Sequence, residues 1–229
     1  MAAPTEIAVD TPIAARRAAD PRCPHLLFRD VLGADMVAGL LEHVAARATD
    51  FRPAIVRSRR TGVRSVETGR RDCLTSSDLG PFRSPIETFI RRIAPLALTE
   101  LRLNEPRHEP REFSICAYGE GGRFAPHIDT AETTSFVRIV SCIYYFAATP
   151  RRFQGGELRL HGFPTLSAGG AAAPQVDIVP ETDTLVVFPS WMSHEVLPVR
   201  VPSGAWIDRR FTINCWIHRV GPVAGQGGA

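Results

Sequence analysis

A mainly β fold with buttressing helices, an antiparallel sandwich or barrel of the jelly-roll kind, is predicted by three observations. From about residue 111 the chain is a succession of short β-rich runs separated by turn signals, with no helical pattern between them. Two amphipathic helical patterns precede that half and can cover one sheet. The length, 229 residues, suits one domain of above-average size with its own core.

Residues 1–24 are small, polar and punctuated by proline, and read as a loosely held arm. Residues 25–219 read as one domain, with helical support over 25–110 and the jelly-roll core over 111–219. In "ADMVAGLLEHVAARA", Met36, Leu40, Leu41 and Val44 recur at helical spacing. "SPIETFIRRIAPLALTELRL" predicts a second helix, capped by Ser84, with Pro85 in its first turn and a kink or break at Pro95. Between the helices, "FRPAIVRSRRTGVRSVETGRRDC" carries seven arginines from Arg52 to Arg71. A charge run of this kind reads as a solvated loop, the alternative being a flap that meets an acidic substrate.

The expected core strands are "EFSICAY", "FVRIVSCIYYFA", "GELRLHG", "QVDIVP", "DTLVVFP", "HEVLPVR" and "RRFTINCWIHR". "PTLSAGGAAAP" and "VPSGAWID" read as loop insertions, and residues 220–229 as a disordered tail.

Composition excludes several classes. Hydrophobic content of 44%, charged content of 22% and a formal charge of +3 fit a globular protein and give no case for nucleic acid. All 27 basic residues are arginine, so neither a lysine Schiff base nor a Walker-type phosphate loop is available. The five cysteines are scattered and never form a C-x-x-C pair, which suits a reducing, cytoplasmic setting. No apolar run approaches the roughly 20 residues of a membrane span, and the N-terminus has no continuous apolar signal region.

The chemistry concentrates in "YGEGGRFAPHIDT". On an extended segment His127 and Asp129 point to the same face and can grip one ion. His194, which opens "HEVLPVR", is the candidate third ligand. Two imidazoles and a carboxylate on one face of an octahedron are the donor set of non-haem Fe(II) oxygenases.

"YGEGGRFAPHIDT", "SCIYYFA", "FQGGELRLHG", "VFPSWMSHEVLPV" and "RRFTINCWIHR" follow one another in an order that resembles the 2-oxoglutarate and Fe(II)-dependent dioxygenases of the prolyl 4-hydroxylase type. That group includes the oxygen-sensing prolyl hydroxylases and their bacterial relatives. The resemblance covers about residues 112–219 and implies a double-stranded β-helix, the cupin-like jelly roll. It implies His127, Asp129 and His194 as iron ligands, and Arg210 as the holder of the distal carboxylate of 2-oxoglutarate. Arg200 and Arg209 compete for that role, but strand alternation puts Arg210, Thr212, Asn214 and Trp216 on one side and Arg209 on the other. The segment from His194 to Arg210 is longer than in the family, because "VPSGAWID" intervenes.

The resemblance further assigns Tyr145 as hydroxyl partner of the same carboxylate, and strand alternation places Asn214 and Trp216 on the cofactor-facing side with Arg210. Tyr118 and Phe124 line the approach to His127, Tyr118 either reaching the cofactor or packing an edge strand. Arg138 alternates away from Tyr145 in a regular strand, yet an arginine here borders the substrate cleft in similar enzymes. Gly155 and Gly156 shape the cleft mouth.

The implied activity is hydroxylation of an aliphatic C–H, using Fe(II), 2-oxoglutarate and O2, with ascorbate admissible as reductant. A prolyl residue in a protein or peptide is the expected substrate; a free amino acid or a small natural product is the alternative. A non-catalytic metal-binding jelly-roll module and a zinc hydrolase are the readings from other classes, the latter without an H-E-x-x-H motif in its favour. The sequence fixes neither the substrate nor the oligomeric state.

Overall fold

The computed structural model describes residues 15–17, 21–57, 62–130, 136–163 and 174–220. Most of the expected N-terminal arm, residues 221–229 of the expected tail, all but Pro174 of the "PTLSAGGAAAP" insertion, and Arg59 and Arg60 lie outside those residues.

The chain begins with β1 (Ala15–Arg17) and β2 (Leu26–Arg29), which pair antiparallel, so part of the N-terminal segment is a strand. Helix α1 (Ala34–Ala46) buries Met36, Val37, Leu40 and Val44 on one face. Its entry is fixed from a distance. The Asp183 carboxylate accepts the Leu32 and Gly33 N–H groups at 2.8 and 2.9 Å and the Tyr144 hydroxyl at 2.8 Å, supplying acceptors that a helix start otherwise lacks.

The arginine-rich stretch is built of short strands: β3 (Arg52–Pro53), β4 (Ile55–Arg57), β5 (Arg64–Val66), β6 (Arg71–Asp72) and β7 (Leu74–Ser76). The described part is therefore strand rather than irregular loop, while Arg52 and Arg64 remain exposed to solvent. Helix α2 (Arg83–Glu100) follows a short 3-10 turn, Gly80–Phe82, and starts after Phe82 without a side-chain cap, not at Ser84 as expected. It also runs through Pro95 as one element. Proline costs a helix interior about 3 kcal/mol, whereas Ile86, Phe89, Ile90, Ile93, Ala94, Ala97 and Leu98 are all buried along α2. At about 1.5–3 kcal/mol for each large apolar side chain, that face outweighs the break.

The C-terminal half supplies β8 (His108–Tyr118), β9 (Arg123–His127), β10 (Phe136–Phe146), β11 (Gln154–Gly155), β12 (Leu158–His161) and β13 (Gln175–Ile178). It ends with β14 (Thr184–Pro189), β15 (Ser193–Val196), β16 (Val199–Arg200) and β17 (Arg210–Val220). "HEVLPVR", expected as one strand, is thus split between β15 and β16 at Leu197-Pro198, where proline has no N–H for a ladder.

Two sheets face each other in a jelly roll. The larger has the order β1-β2-β14-β10-β17-β8-β7-β3, the smaller β13-β12-β15-β9-β6. Alternation sorts the large sheet's side chains. Tyr144, Phe146, Phe211, Ile213 and Cys215 join α1 and α2 in one cluster on the outer face. Tyr145, Ile143, Val186 and Phe188 pack inward against Leu158, Leu160 and Ile178 of the small sheet, and Cys116 and Tyr118 join Phe124, Val196 and Val199 in a third cluster. The helices thus seal one face of the large sheet and leave its polar residues only the space between the sheets. No described helix is long and apolar enough to cross a membrane.

Candidate metal centre and acid-binding pocket

Strand pairing assembles the candidate metal centre. β15 and β9 are neighbours, with His194 directly opposite His127, and the two rings lie 4.1 Å apart between centroids. Asp129 follows β9 and is pinned by its backbone, since the Asp129 and Thr130 N–H groups donate to Ser190 O at 2.9 and 3.1 Å. One ligand atom from each of His127, Asp129 and His194 lies within 4.8 Å of the others. His127 Nε2 is 3.5 Å from Asp129 Oδ1, and His194 Nε2 is 3.5 Å from Asp129 Oδ2.

The outer partners fix each ligand's orientation. His127 Nδ1 is 2.9 Å from Ala125 O, and His194 Nδ1 is 2.9 Å from Met192 O. A carbonyl can only accept, so each Nδ1 carries the proton and each Nε2 keeps its lone pair for a metal. Asp129 Oδ2 accepts from Ser141 Oγ at 2.7 Å and from Trp216 Nε1 at 2.8 Å. Burial by itself would raise the Asp129 carboxyl, but His194, His127 and the Trp216 N–H hold it well below the carboxylate range. Burial pushes His194 down to about 4 against the pull of Asp129, so it is neutral at pH 7. Two imidazoles and one ionised carboxylate are a donor set that fits ferrous iron.

Further along the inner face of β17 lies a different kind of site. Arg210 is 1% exposed, and its Nε donates to Gly156 O at 2.7 Å. Its guanidinium carbon is 4.9 Å from the centre of the Tyr118 ring and 5.0 Å from that of Tyr145. Arg210 Nη2, Tyr145 Oη and Thr212 Oγ1 are buried without a hydrogen-bond partner, and Thr212 stands opposite Tyr145 in the strand register. Burial pushes the Tyr145 phenol up to about 12, against the pull of Arg210, so it stays a donor. Three buried donors without an acceptor fit a carboxylate. Gly156 makes the approach possible: at φ +72° a Cβ there would sit 2.6 Å from Arg210 Cδ. The competing arginines lie elsewhere, Arg200 exposed on β16 and Arg209 against Trp206 at 4.7 Å.

Asn214 Nδ2 donates weakly to Cys116 Sγ at 3.5 Å. Arg138 corrects the regular-strand expectation. The pairing of β10 with β17 slips between Arg138 and Val140, and Ile139 and Val140 both join the outer cluster. The bulge turns Arg138 to the inner side, where its guanidinium carbon lies 3.8 Å from the centre of the Trp216 ring. It also binds both oxygens of Glu112, and His218 Nε2 is 2.9 Å from Glu112 Oε1.

Sequence reasoning missed Ser141, Ser190 and Arg71. Ser141 was legible as a neighbour of Tyr145 on the alternating face of β10; Ser190 and Arg71 carried no such signal. His25, His43 and His218 are buried.

Residues 113–218 match the model of the 2OG-Fe(II) oxygenase superfamily. An uncharacterized PKHD-type hydroxylase of Synechocystis sp. is 28% identical over 147 residues, 64% of this chain and 48% of that protein, so the chain spans about half the length of this curated relative. Among solved structures, a Pseudomonas putida prolyl-4-hydroxylase has a TM-score of 0.60 at 21% identity, over 85% of this chain and 92% of that one. A Trichoplax adhaerens prolyl hydroxylase, solved with a hypoxia inducible factor oxygen degradation domain peptide fragment, has a TM-score of 0.62 at 18% identity, over 85% and 83%. At these identities the structural likeness carries the fold.

Proposed function

From the premise that residues 113–218 resemble the 2OG-Fe(II) oxygenases of the prolyl 4-hydroxylase type, we propose that the protein is an Fe(II)- and 2-oxoglutarate-dependent dioxygenase that hydroxylates an aliphatic C–H. The observation that carries this reading is that the His127, Asp129 and His194 donor set, with both histidines on the small sheet, shares the space between the two sheets with the unpartnered donors of Arg210, Tyr145 and Thr212 on the large sheet. A hydrolytic metal site needs no buried dicarboxylate anchor, and neither does a non-catalytic metal-binding module.

His127, Asp129 and His194 would hold the iron. Bound there, ferrous iron supplies the redox chemistry by which 2-oxoglutarate, O2 and R–H become succinate, CO2 and R–OH. Arg210, Tyr145 and Thr212 bind the distal carboxylate and so set the direction from which the 2-oxo group meets the metal site. Ser141 and Trp216 occupy Asp129 Oδ2, which leaves Oδ1 as the oxygen free for the metal. Phe124, stacked 3.5 Å from the His127 ring, and Phe188, edge-on to His194 at 4.8 Å, keep water from the ligands.

The substrate we propose is a prolyl residue in a protein or peptide. Arg138, Glu112, Trp216 and His218 form a mixed polar and aromatic wall next to Asp129, with the charge and ring surface to grip a peptide backbone. The structural neighbour bound to a peptide supports this class. Five free cysteines are consistent with a reducing, cytoplasmic setting.

The test is anaerobic titration of Fe(II)-loaded protein with 2-oxoglutarate, following the weak visible metal-to-ligand charge-transfer band. A band in the wild type that is lost in Asp129→Ala, and that needs about tenfold or more 2-oxoglutarate in Arg210→Met, supports the reading. No band in folded, iron-loaded wild type sinks it.

A further inference from the structure

The pocket contains a second guanidinium for which the proposed reaction has no task. Arg71 stands on β6 opposite Phe124, and its guanidinium carbon is 4.8 Å from the centre of the Phe124 ring that stacks on His127. Arg71 Nε is fully enclosed and has no hydrogen-bond partner. Its Nη2 donates to a weak acceptor, Cys116 Sγ, at 3.3 Å, and Cys73 is a second thiol neighbour. The same sulfur receives Asn214 Nδ2, and Asn214 Oδ1 is itself buried and unpartnered.

Several other arginines are used differently. Arg83, Arg91, Arg138, Arg159 and Arg219 each face a carboxylate, whereas the groups that act on Arg71 are Cys116, Cys73 and Tyr118. Arg71 is half-buried and its neighbour is the Cys116 thiol, pulled down to about 6 by Cys73 and in part by Arg71, so a carboxylate that reaches the enclosed Nε edge would find a donor not yet used.

We propose that Arg71, with Asn214 beside it, forms a second carboxylate-binding position, on the wall of Cys73, Cys116, Tyr118 and Phe124 and separate from the Arg210 end. The Nε–Nη2 edge is the planar fork that takes a carboxylate by two parallel hydrogen bonds, the thiol giving way as acceptor. Asn214 adds either an N–H for the same group or a carbonyl for a donor next to it. One guanidinium against aromatic rings suits a singly charged, planar acid. That carboxylate has two sources: the end of the 2-oxo acid nearest the metal, or a carboxylate on the molecule being oxidised. The second source would make the substrate a small acid such as a free amino acid, in place of a residue within a chain. The inference rests on the dioxygenase reading for the identity of the 2-oxo acid alone.

The experiment uses the full chain loaded with Mn(II), which occupies the site without turnover, and isothermal titration calorimetry. 2-Oxoglutarate is titrated first, and acetate is then titrated into protein saturated with it. Wild type, Arg71→Gln, Arg71→Lys and Arg210→Met are compared, with thermal melts to establish folding. Weakening of 2-oxoglutarate by about tenfold or more in Arg71→Gln assigns the position to the 2-oxo acid. Unchanged 2-oxoglutarate binding, with saturable acetate binding lost in Arg71→Gln, assigns it to the substrate. Arg71→Lys, which keeps the charge and loses the fork, should be impaired several-fold in whichever titration responds, and it serves alone if Arg71→Gln does not fold. Binding of both ligands unchanged in the folded Arg71 variants overturns the proposal. If 2-oxoglutarate fails to bind wild type, or binds Arg210→Met equally well, the co-substrate reading fails instead, and acetate titrated into metal-loaded protein alone still reports on Arg71.

Discussion

The two ends of the pocket are built on opposite principles. At the metal end every ligand is already held: each histidine has its Nδ1 on a carbonyl, and Asp129 Oδ2 has two donors. At the acid end Arg210, Tyr145 and Thr212 present buried donors that no group among the described residues accepts. The first end has its geometry fixed before any ion arrives; the second carries an unmet demand that a ligand must satisfy. The contrast separates the order imposed by folding from the order imposed by binding.

The largest expected effect comes from removing a ligand at the ordered end. Asp129→Ala should weaken Mn(II) or Fe(II) binding by more than about a hundredfold, beyond the 10- to 100-fold typical of losing an outer partner, as read by calorimetry. Next, Arg210→Met should lower 2-oxoglutarate affinity by about tenfold to a hundredfold while leaving metal affinity unchanged. The melting temperature of the ligand-free protein should not fall, because a buried, uncompensated cation goes with the side chain.

Smaller again, Ser141→Ala should weaken metal binding by about tenfold with 2-oxoglutarate affinity of the metal-loaded protein unaltered. If Ser141→Ala weakened 2-oxoglutarate as much as Arg210→Met does, the two ends would be a single network and the contrast would break. The smallest effect lies at the rim. Burial opposes ionisation of Glu112, but His218 and Arg138 push its carboxyl down to about 2 from a normal 4.5. A depressed folded value means that the contribution is full above about pH 4.5 and is lost as the pH falls toward 2. The small melting difference between wild type and Glu112→Gln at pH 6 should therefore shrink by pH 3, the pair being partly screened by solvent.

Legibility in the sequence follows the same physics. Period-two alternation put Arg210 and Thr212 on one side, because β17 is regular over that stretch and its other face is sealed by helices. His127 ends β9, and Asp129 beyond it is brought to the same site by the Asp129 and Thr130 N–H bonds to Ser190 O, which the spacing alone does not reveal. Arg138 defied alternation because a bulge adds a residue at Ile139, and no residue type announces a bulge. Arg71 was hidden by its company: six other arginines from Arg52 onward made the stretch look solvated, and only pairing with β9 turns this one inward. Pro95 misled because local propensity was set against a buried face whose extent only the tertiary structure reveals.

The strand that carries Arg71 is fastened to its sheet by only two register pairs, Arg71 with Phe124 and Asp72 with Arg123, whereas β17 is paired along most of its length on both sides. Local opening costs least where few contacts must break. Backbone amides of β6 should accordingly exchange their hydrogens with solvent well before those of β17, and small acids would enter and leave through that wall at rates set by its opening, while the rest of the jelly roll stays shut.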